Sequence, residues 1–447
     1  YYSCKVEENK IMTICIATDG FPPQVGGIAT FNKHLVSLLT DAGHKVIVLY
    51  MAYDSEENDQ IITEGLLTKV ILRKTYQQHY KEWQRYFRPG GYDAANWIAI
   101  GMAMRQWLLS NNNQFNIDVI EASDYGGCGI FLCDGSLPPV IITGHGSLFQ
   151  LSRYNYSNNN DDSYRVVCKL EELSFIQADA VIAHSQVNKL DLEKLFKRHI
   201  ESATIPWVNK DTGYIDSADK NKLLVIGGLQ PAKGVYTMAA AMELLSFKQP
   251  GIVVEWIGGD TWLAPGQQKV SAYLEKKYPS VWQHNFIWKN EQSYSTTQQS
   301  LSSASLVIIP SDFETFSYVA IEAAVYKKAI VISDKTGASG LFTHGQNAWI
   351  VPANDPAALA EAIFYLLSNP GLCRQLGENA CHTIQHELTK EKIVAERLTV
   401  YNTAIQSQKQ REKSLHPDLS FLNNYRTSAR KYYYCVRQFL KKLTGKS

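Results

Sequence analysis

Residues 311–322 read SDFETFSYVAIE and place two acids, Glu314 and Glu322, eight positions apart. A strand-like run, LVIIP, precedes them, and AIEAAVY has a helical character. On one helix the two side chains would lie about 80° apart around the axis and about 12 Å along it. We therefore expect Glu314 in a loop and Glu322 in the first turns of a helix, addressing one ligand. A carboxylate accepts hydrogen bonds from vicinal hydroxyls, which favours a ribose or hexose ring.

Lys233 and His145 also follow strand-like runs. Lys233 lies in GGLQPAKG, after KLLVI. It is either a cation that neutralises a diphosphate or a solvated surface lysine, the common outcome for lone lysines. His145 lies in ITGHGS with a glycine on each side. It is either a donor to a sugar hydroxyl or phosphate, neutral or charged, or a structural histidine.

Gly26 and Gly27 in FPPQVGGIATF precede a predicted helix. Glycine lets backbone approach a phosphate closely, and the start of a helix supplies free N–H groups with a partial positive charge. The pair is therefore either a phosphate-binding turn or a helix-opening turn without a ligand.

Two segments share the order strand, loop, helix, strand. The first begins at KIMTICIA, and its helix carries Phe31, Leu35, Leu38 and Leu39 at helical spacing. The second begins at KLLVIGG. We therefore predict an α/β fold of two Rossmann-like domains that bind ligands where their parallel strands end. Further strands are predicted within 115–123, 138–147, 178–185, 284–290, 304–311, 327–334 and 347–353, with late helices at 355–369, 371–384 and 389–408.

The polar, proline-containing stretch 203–211 is the predicted linker between a domain of residues 1–207 and a domain of residues 208–389. Asparagine-rich stretches at 111–116 and 155–162 are predicted to be loops.

The composition excludes several classes of protein. The 447 residues carry 44 basic and 43 acidic side chains, so no global field recruits nucleic acid. The eight cysteines form no CxxC pair, which favours free thiols in a reducing compartment. The N-terminal YYSCKVEENK has no apolar signal-peptide region, and no apolar run reaches about 18 residues. The sequence therefore predicts a soluble cytoplasmic protein.

Five motifs together resemble the retaining GT-B glycosyltransferases of family 4, which use nucleotide sugars. SDFETFSYVAIEAA is similar to their E-x7-E segment, VIGGLQPAKG to their G-R-L-x-x-x-K-G turn, and FPPQVGGIATF to their N-terminal glycine-rich loop. ITGHGS resembles their H-G/T-S segment, and EELSFIQADAVIAHS resembles E-x6-A-D-x-V-I-x-x-S. The matches keep the family's order and span roughly residues 11–400.

The resemblance implies a GT-B fold: two Rossmann-like domains facing across a cleft, with the last helix crossing back to the first domain. Residues 1–207 would be the acceptor side, completed by about 390–447, and residues 208–389 would bind the donor. It implies a hexosyltransferase-type enzyme of EC 2.4 that transfers sugar with retention from a nucleotide diphosphate sugar, UDP favoured. The acceptor would be a glycan, a lipid-linked or a small molecule, in polysaccharide or glycoconjugate biosynthesis. No cofactor and no obligatory metal are implied.

The resemblance also assigns residues. Glu322 would hold the ribose hydroxyls and Glu314 the donor sugar. Backbone N–H groups of Phe316, Ser317 and Tyr318 would meet sugar and phosphate. Lys233 would pair with the diphosphate, which Gly26 and Gly27 would approach from the N-terminal domain, and His145 would lie by the donor sugar. His145, Lys233 and Glu314 are thus the predicted catalytic residues.

The chain departs from the family pattern at two positions. Gly228 stands where the family usually has the arginine of G-R-L, so one diphosphate-binding cation is missing, at an expected cost of about 1.5–3 kcal/mol if nothing replaces it. Ser317 replaces a glycine, which is a milder change.

The C-terminal residues 426–447 contain seven basic and no acidic side chains. Drawn as a helix, they place Tyr432, Val436, Phe439, Leu440 and Leu443 in one apolar stripe. Such a helix either lies on an anionic membrane, which would suit a lipid-linked acceptor and peripheral localisation on the inner face, or docks on its own protein.

Two other functions fit the same fold. A nucleotide-sugar epimerase would form its product without an acceptor. A binding or regulatory protein with a degraded donor site is suggested by Gly228. A nicotinamide dehydrogenase is disfavoured because neither domain opens with G-x-G-x-x-G.

Overall fold

The computed structural model describes residues 11–24, 26–52, 56–87, 93–156, 161–208, 222–410 and 419–422. The chain forms two compact units. Unit 1 takes its described residues from Tyr1–Leu148, Asn159–Ile182 and Arg397–Ser447, and unit 2 from Phe149–Asn158 and Ala183–Glu396. The predicted boundaries at 207/208 and near 390 stay a prediction. Residues 209–211 of the predicted linker and residues 426–447 lie outside the described residues.

The first sheet has strands β1 (Thr13–Ala17), β2 (Lys45–Met51), β3 (Gln60–Glu64), β4 (Leu67–Leu72), β5 (Val119–Ser123), β6 (Val140–Thr143), β7 (Ala180–Ala183) and β8 (Glu201–Ser202). Their order is β3-β4-β2-β1-β5-β6-β7-β8. Only the β3–β4 pair is antiparallel among the described ladders. Ile14 on β1 lies opposite Val46 and Val119, all fully buried, as expected for a parallel sheet covered on both faces.

The helices in the first part of the chain are α1 (Gly27–Asp41), α2 (Lys74–Trp83), α3 (Ala94–Phe115), α4 (Leu148–Leu151), α5 (Asp162–Gln177) and α6 (Gln186–Phe196). The predicted stripe of α1 is confirmed, because its four apolar residues are buried. The predicted loop at 111–116 is wrong: α3 continues to Phe115 and ends at Asn116 in the left-handed conformation. The Asn111 side chain donates to the Trp107 carbonyl at 2.8 Å, one turn earlier in the same helix.

The second sheet has strands β9 (Lys222–Ile226), β10 (Val253–Ile257), β11 (Phe286–Lys289), β12 (Leu306–Ile309), β13 (Ala329–Ser333) and β14 (Trp349–Val351). Their order is β11-β10-β9-β12-β13-β14, and all described pairs are parallel. The order reverses between β9 and β12, so the loops after these two strands meet at a switch point, where open α/β sheets bind ligands.

The remaining helices are α7 (Val235–Lys248), α8 (Val270–Lys277), α9 (Tyr294–Ser303), α10 (Tyr318–Val325), α11 (Pro356–Leu367), α12 (Pro370–Glu387) and α13 (Lys390–Gln410). The core of unit 2 includes Trp256, which is fully buried and stacks on Phe286 with ring centroids 5.6 Å apart. The six cysteines among the described residues are free thiols. No helix within the described ranges is both long and apolar enough to cross a bilayer.

Candidate functional site

The turn after β9 is fixed against the end of β12 by a glycine. Gly234 has φ +73, and a Cβ there would lie 1.8 Å from the carbonyl oxygen of Pro310. Only glycine combines this conformation with this close approach. The turn that carries Lys233 is therefore held directly beside the loop that carries Glu314.

Lys233 and Glu314 form an ion pair across these two loops. Lys233 Nζ lies 2.5 Å from Glu314 Oε1, with side chains 31% and 16% exposed. Ser311 Oγ donates to the other carboxylate oxygen at 2.9 Å. Both oxygens of Glu314 therefore have hydrogen-bond donors, as they would with sugar hydroxyls.

The backbone of Glu314 is also fixed. Its N–H donates to the Lys335 carbonyl at 3.1 Å, and its carbonyl accepts from the Gly337 N–H at 2.8 Å. Since both partners follow β13, the loop after β12 is tied to the neighbouring loop on each side of this one residue. Such support holds a functional carboxylate in place better than a loop alone does.

Glu322 lies in α10, as predicted, beyond the loop that holds Glu314. Burial raises the pKa of Tyr294 and of Tyr326, and the negative charge of Glu322 contributes to both shifts. Tyr294 is 68% exposed. Ser317 is the N-cap residue of α10 and makes no side-chain capping bond. The Ala320 N–H donates to the Ser317 carbonyl at 3.3 Å. The N–H groups at the start of a helix are the ones that can serve an anionic ligand.

Asp312 is a half-buried acid that the sequence analysis missed, although it lies within SDFETFSYVAIE. Burial raises its pKa to about 6, against the effect of Thr237. Its backbone N–H donates to the Ala232 carbonyl at 2.9 Å, one residue before Lys233. Its proximity to Glu314 in the sequence was the available signal.

Gly228 lies in the same turn. A Cβ there would meet Gln230 Nε2 at 3.3 Å and the Gly259 carbonyl oxygen at 3.5 Å. The amide of Gln230, a neutral group, therefore occupies the space beside the position where the family usually has arginine.

Gly26, Gly27 and His145 belong to unit 1. Gly26 has φ +138, a conformation that favours glycine, and precedes α1. No described residue lies within 4 Å of a Cβ at either glycine, so the described part of the chain leaves space there. The turn follows β1, and the loop of His145 follows β6 in the same sheet.

His145 is half-buried, and its pKa favours the neutral ring. Burial and, secondarily, the Arg397 charge lower its pKa to about 3. Its ring meets Phe31 edge-on, with centroids 4.4 Å apart. The backbone N–H groups of His145 and Gly146 donate to the Asp124 carboxylate at 2.9 and 3.2 Å, while burial raises the pKa of Asp124 to about 7.

Arg397 belongs to a buried cluster in unit 1 that sequence reasoning also missed. Its Nη1 lies 3.1 Å from Glu121 Oε1, with both side chains almost fully buried. Thr143 Oγ1 and Tyr401 Oη donate to the same carboxylate at 2.6 and 2.5 Å. No local pattern reveals such a cluster, because its partners lie about 280 residues apart.

Comparisons with known proteins agree with this organisation. The family model described as Glycosyltransferase Family 4 matches residues 25–206, and the one described as Glycosyl transferases group 1 matches residues 214–383. A glycogen synthase of Mycobacterium tuberculosis is 23% identical over 427 residues, covering 90% of this chain and 98% of the relative.

Two solved structures share the fold. Sucrose-phosphate synthase from Thermosynechococcus elongatus has a TM-score of 0.68 and 20% identity, covering 89% of this chain and 100% of that one. HepE of Anabaena, in complex with UDP and glucose, has a TM-score of 0.60 and 15% identity, covering 87% and 100%.

The two α/β units with parallel sheets thus define a protein of the GT-B fold, as predicted. With glycosyltransferase models matching both the first and the second half, the chain is a glycosyltransferase of that fold.

Proposed function

We propose that the protein transfers a sugar from a nucleotide diphosphate sugar, with UDP as the favoured nucleotide, and retains the anomeric configuration. The acceptor is a glycan, a lipid-linked or a small molecule, and the reaction has no obligatory metal. The Lys233–Glu314 ion pair carries the proposal, because it joins a cation and a hydroxyl acceptor at the switch point of the sheet. The UDP bound in the HepE structure supports the choice of nucleotide.

The two glutamates divide the donor between them in this proposal. Glu322 on α10 accepts hydrogen bonds from the ribose hydroxyls. Glu314 exchanges its bonds from Lys233 and Ser311 for bonds from hydroxyls of the donor sugar. Released from Glu314, the Lys233 ammonium is available to the diphosphate.

The chemical step is the departure of the nucleoside diphosphate. Negative charge grows on its oxygen as the bond to the sugar carbon breaks. The acceptor hydroxyl oxygen forms the new bond to that carbon, and its proton passes to the departing diphosphate. Lys233 and the N–H groups of Phe316, Ser317 and Tyr318 stabilise that charge, since preorganised donors do not need to reorient during the reaction. Because Gly228 stands where the family usually has an arginine, Lys233 provides a larger part of this charge stabilisation. Gly26, Gly27 and His145 stay predictions for unit 1.

A thermal-shift screen with UDP, GDP and ADP tests nucleotide binding, because a ligand of the folded state raises stability. We expect a selective shift with UDP. Glu322→Ala should weaken UDP binding by about 10- to 150-fold, from the loss of charge-assisted hydrogen bonds worth about 1.5–3 kcal/mol. Glu314→Ala should chiefly lower turnover, measured as release of UDP from UDP-glucose. Glu361→Ala, an exposed change on α11, is the matched control.

The same assay separates the alternatives. Unchanged UDP affinity in Glu322→Ala would sink the assignment of the ribose clamp. A product formed without an acceptor and without UDP release would indicate the epimerase. Nucleotide binding without turnover, equal in wild type and Lys233→Ala, would favour the binding protein that Gly228 suggests. Loss of turnover in EDTA would contradict metal independence.

A further inference from the structure

The segment Phe149–Asn158 belongs to unit 2, although β6 before it and α5 after it belong to unit 1. Its residues up to Tyr156 are described, and they contact unit 2 at both ends. At one end the contacts are with α6, and at the other they are with the two turns of the candidate donor site.

The α6 end is anchored by charge. Arg153 pairs with Asp191 in a bidentate manner, at 3.0 Å from Nη1 to Oδ1 and 2.5 Å from Nη2 to Oδ2. Gln150 Nε2 donates to the same carboxylate at 2.8 Å and to Asn188 Oδ1 at 3.0 Å. Bidentate pairs fix geometry as well as contribute energy, so this end of the segment is held in a defined position on α6.

The donor-site end meets the backbone of Ala232 and the ring of Phe313. Asn155 Oδ1 accepts the Ala232 N–H at 3.0 Å. The Ala232 carbonyl accepts the N–H groups of Asp312 and Phe313 at 2.9 and 3.3 Å. Tyr154 stacks on Phe313, with centroids 4.8 Å apart and planes within 5°.

These contacts close a ring. It runs from Asn155 to Ala232, from Ala232 to Phe313, and from Phe313 back to Tyr154. Lys233 follows Ala232 in the chain, and Glu314 follows Phe313. The ring therefore ties the segment to both turns from which the ion pair projects, in addition to the close approach of Gly234 to Pro310.

We propose that Tyr154 and Asn155 are positioning residues for sugar transfer, holding the Lys233 turn and the Glu314 loop in register. The inference rests on the proposed function. Tyr154 and Asn155 act through the backbone of Ala232 and the ring of Phe313. Glu322 lies in α10 and outside the ring, so the nucleoside part of the donor does not depend on them.

Loss of these positioning contacts is expected to affect the binding of a diphosphate more than the binding of a monophosphate. A shift of about 1 Å in a charged group is enough to change catalysis strongly. Loss of the Tyr154 stack or of the Asn155 acceptor displaces Lys233 relative to the diphosphate, while the ribose contact of Glu322 persists. Affinity for a diphosphate therefore falls more than affinity for a monophosphate.

The experiment compares UDP and UMP by titration calorimetry, or GDP and GMP if the thermal-shift screen selects guanine. In Tyr154→Leu and in Asn155→Ala we expect about tenfold weaker UDP binding, about 1.4 kcal/mol, with UMP binding within about twofold of wild type. UDP-glucose hydrolysis should fall with UDP affinity. Tyr154→Phe keeps the stacked ring and should retain the wild-type ratio. Tyr156→Ala, a change of the exposed neighbour, is the control.

Two outcomes overturn the inference: an unchanged ratio of UDP to UMP affinity in both variants, or an equal loss of both nucleotides. Melting curves without ligand identify a variant that fails to fold, and the second variant then decides. A wild-type protein that binds neither nucleotide overturns the proposed function and the inference with it.

Discussion

The Lys233–Glu314 pair joins two side chains that the chain separates by 81 positions. Both are partly exposed, and an ion pair of that kind adds at most about 1 kcal/mol to stability. Several contacts nevertheless hold the pair in place. Gly234 keeps the Lys233 turn against Pro310, and Ser311 donates to the Glu314 carboxylate. The backbone of Glu314 is bonded to residues 335 and 337. Support of this extent around a weak pair is better explained by binding than by folding.

His145 is predicted to stay neutral through the physiological range. Its pKa of about 3 lies below the usual 6.5, so the native state binds fewer protons than the unfolded state between these values. The burial of this histidine therefore costs stability progressively as pH falls below about 6.5, and has no effect above it. In histidine-labelled protein, the His145 ring signals should not titrate between pH 5 and 8.

The His145→Asn variant assigns those signals by their disappearance. A midpoint between pH 5 and 8 would contradict the burial of the ring. A neutral imidazole can donate with one nitrogen and accept with the other, so a ring that stays neutral is still able to donate to a sugar hydroxyl.

At the residue scale, the sequence predicted those candidate site residues that lie within a single sequence motif. Lys233, Glu314 and Glu322 stand in recognisable segments, and the structure places the first two in contact. Asp124, Tyr154 and Asn155 were not predicted. Their partners are 21 to 159 positions away, and only the folded sheet brings them together.

At the scale of elements, α13 is the helix whose later part belongs to unit 1. The resemblance implied a last helix of this kind, but not its anchor. Periodic apolar residues predicted that the helix exists, whereas the buried charge of Arg397 breaks that pattern. Burial of Arg397 is tolerable only because Glu121, itself bonded to Thr143 and Tyr401, compensates its charge.

Arg397→Met should therefore destabilise the protein by about 3–5 kcal/mol, because it leaves the Glu121 carboxylate buried without a cation. Urea unfolding followed by circular dichroism measures the change. Asn402→Ala, at an exposed position of the same helix, should stay within about 0.5 kcal/mol of wild type.

The double variant Glu121→Gln with Arg397→Met removes both charges and should be more stable than Arg397→Met alone. Equal unfolding midpoints for Arg397→Met and Asn402→Ala would show that the pair does not anchor α13.

At the scale of the whole molecule, the chain crosses between its units four times, at both ends of Phe149–Asn158 and near residues 182 and 396. The sequence predicted two α/β domains from two β-loop-α-β openings, since each opening is local. The excursion at 149–158 was not predicted, because an asparagine-rich stretch indicates a loop without indicating which unit it packs on.

The division into units predicts which peptides change their hydrogen exchange when a nucleotide binds. If unit 2 holds the donor as proposed, UDP supplies acceptors to the N–H groups at the start of α10 and to the turn of Lys233. Hydrogen exchange should then slow in peptides covering 227–234 and 311–322. The slowing is at most about 100-fold at 100 times the Kd, where bound ligand adds about 2.7 kcal/mol.

Peptides from β2 in unit 1 serve as the reference, because that strand is buried and its amides already bond to neighbouring strands. Slower exchange in β2 with no change at 311–322 would place nucleotide binding outside the E-x7-E segment. Slowing at 311–322 in wild type that Glu322→Ala abolishes and Glu361→Ala preserves would instead tie the effect to the ribose clamp. The two variants carry the same change of charge, so net charge cannot account for a difference between them.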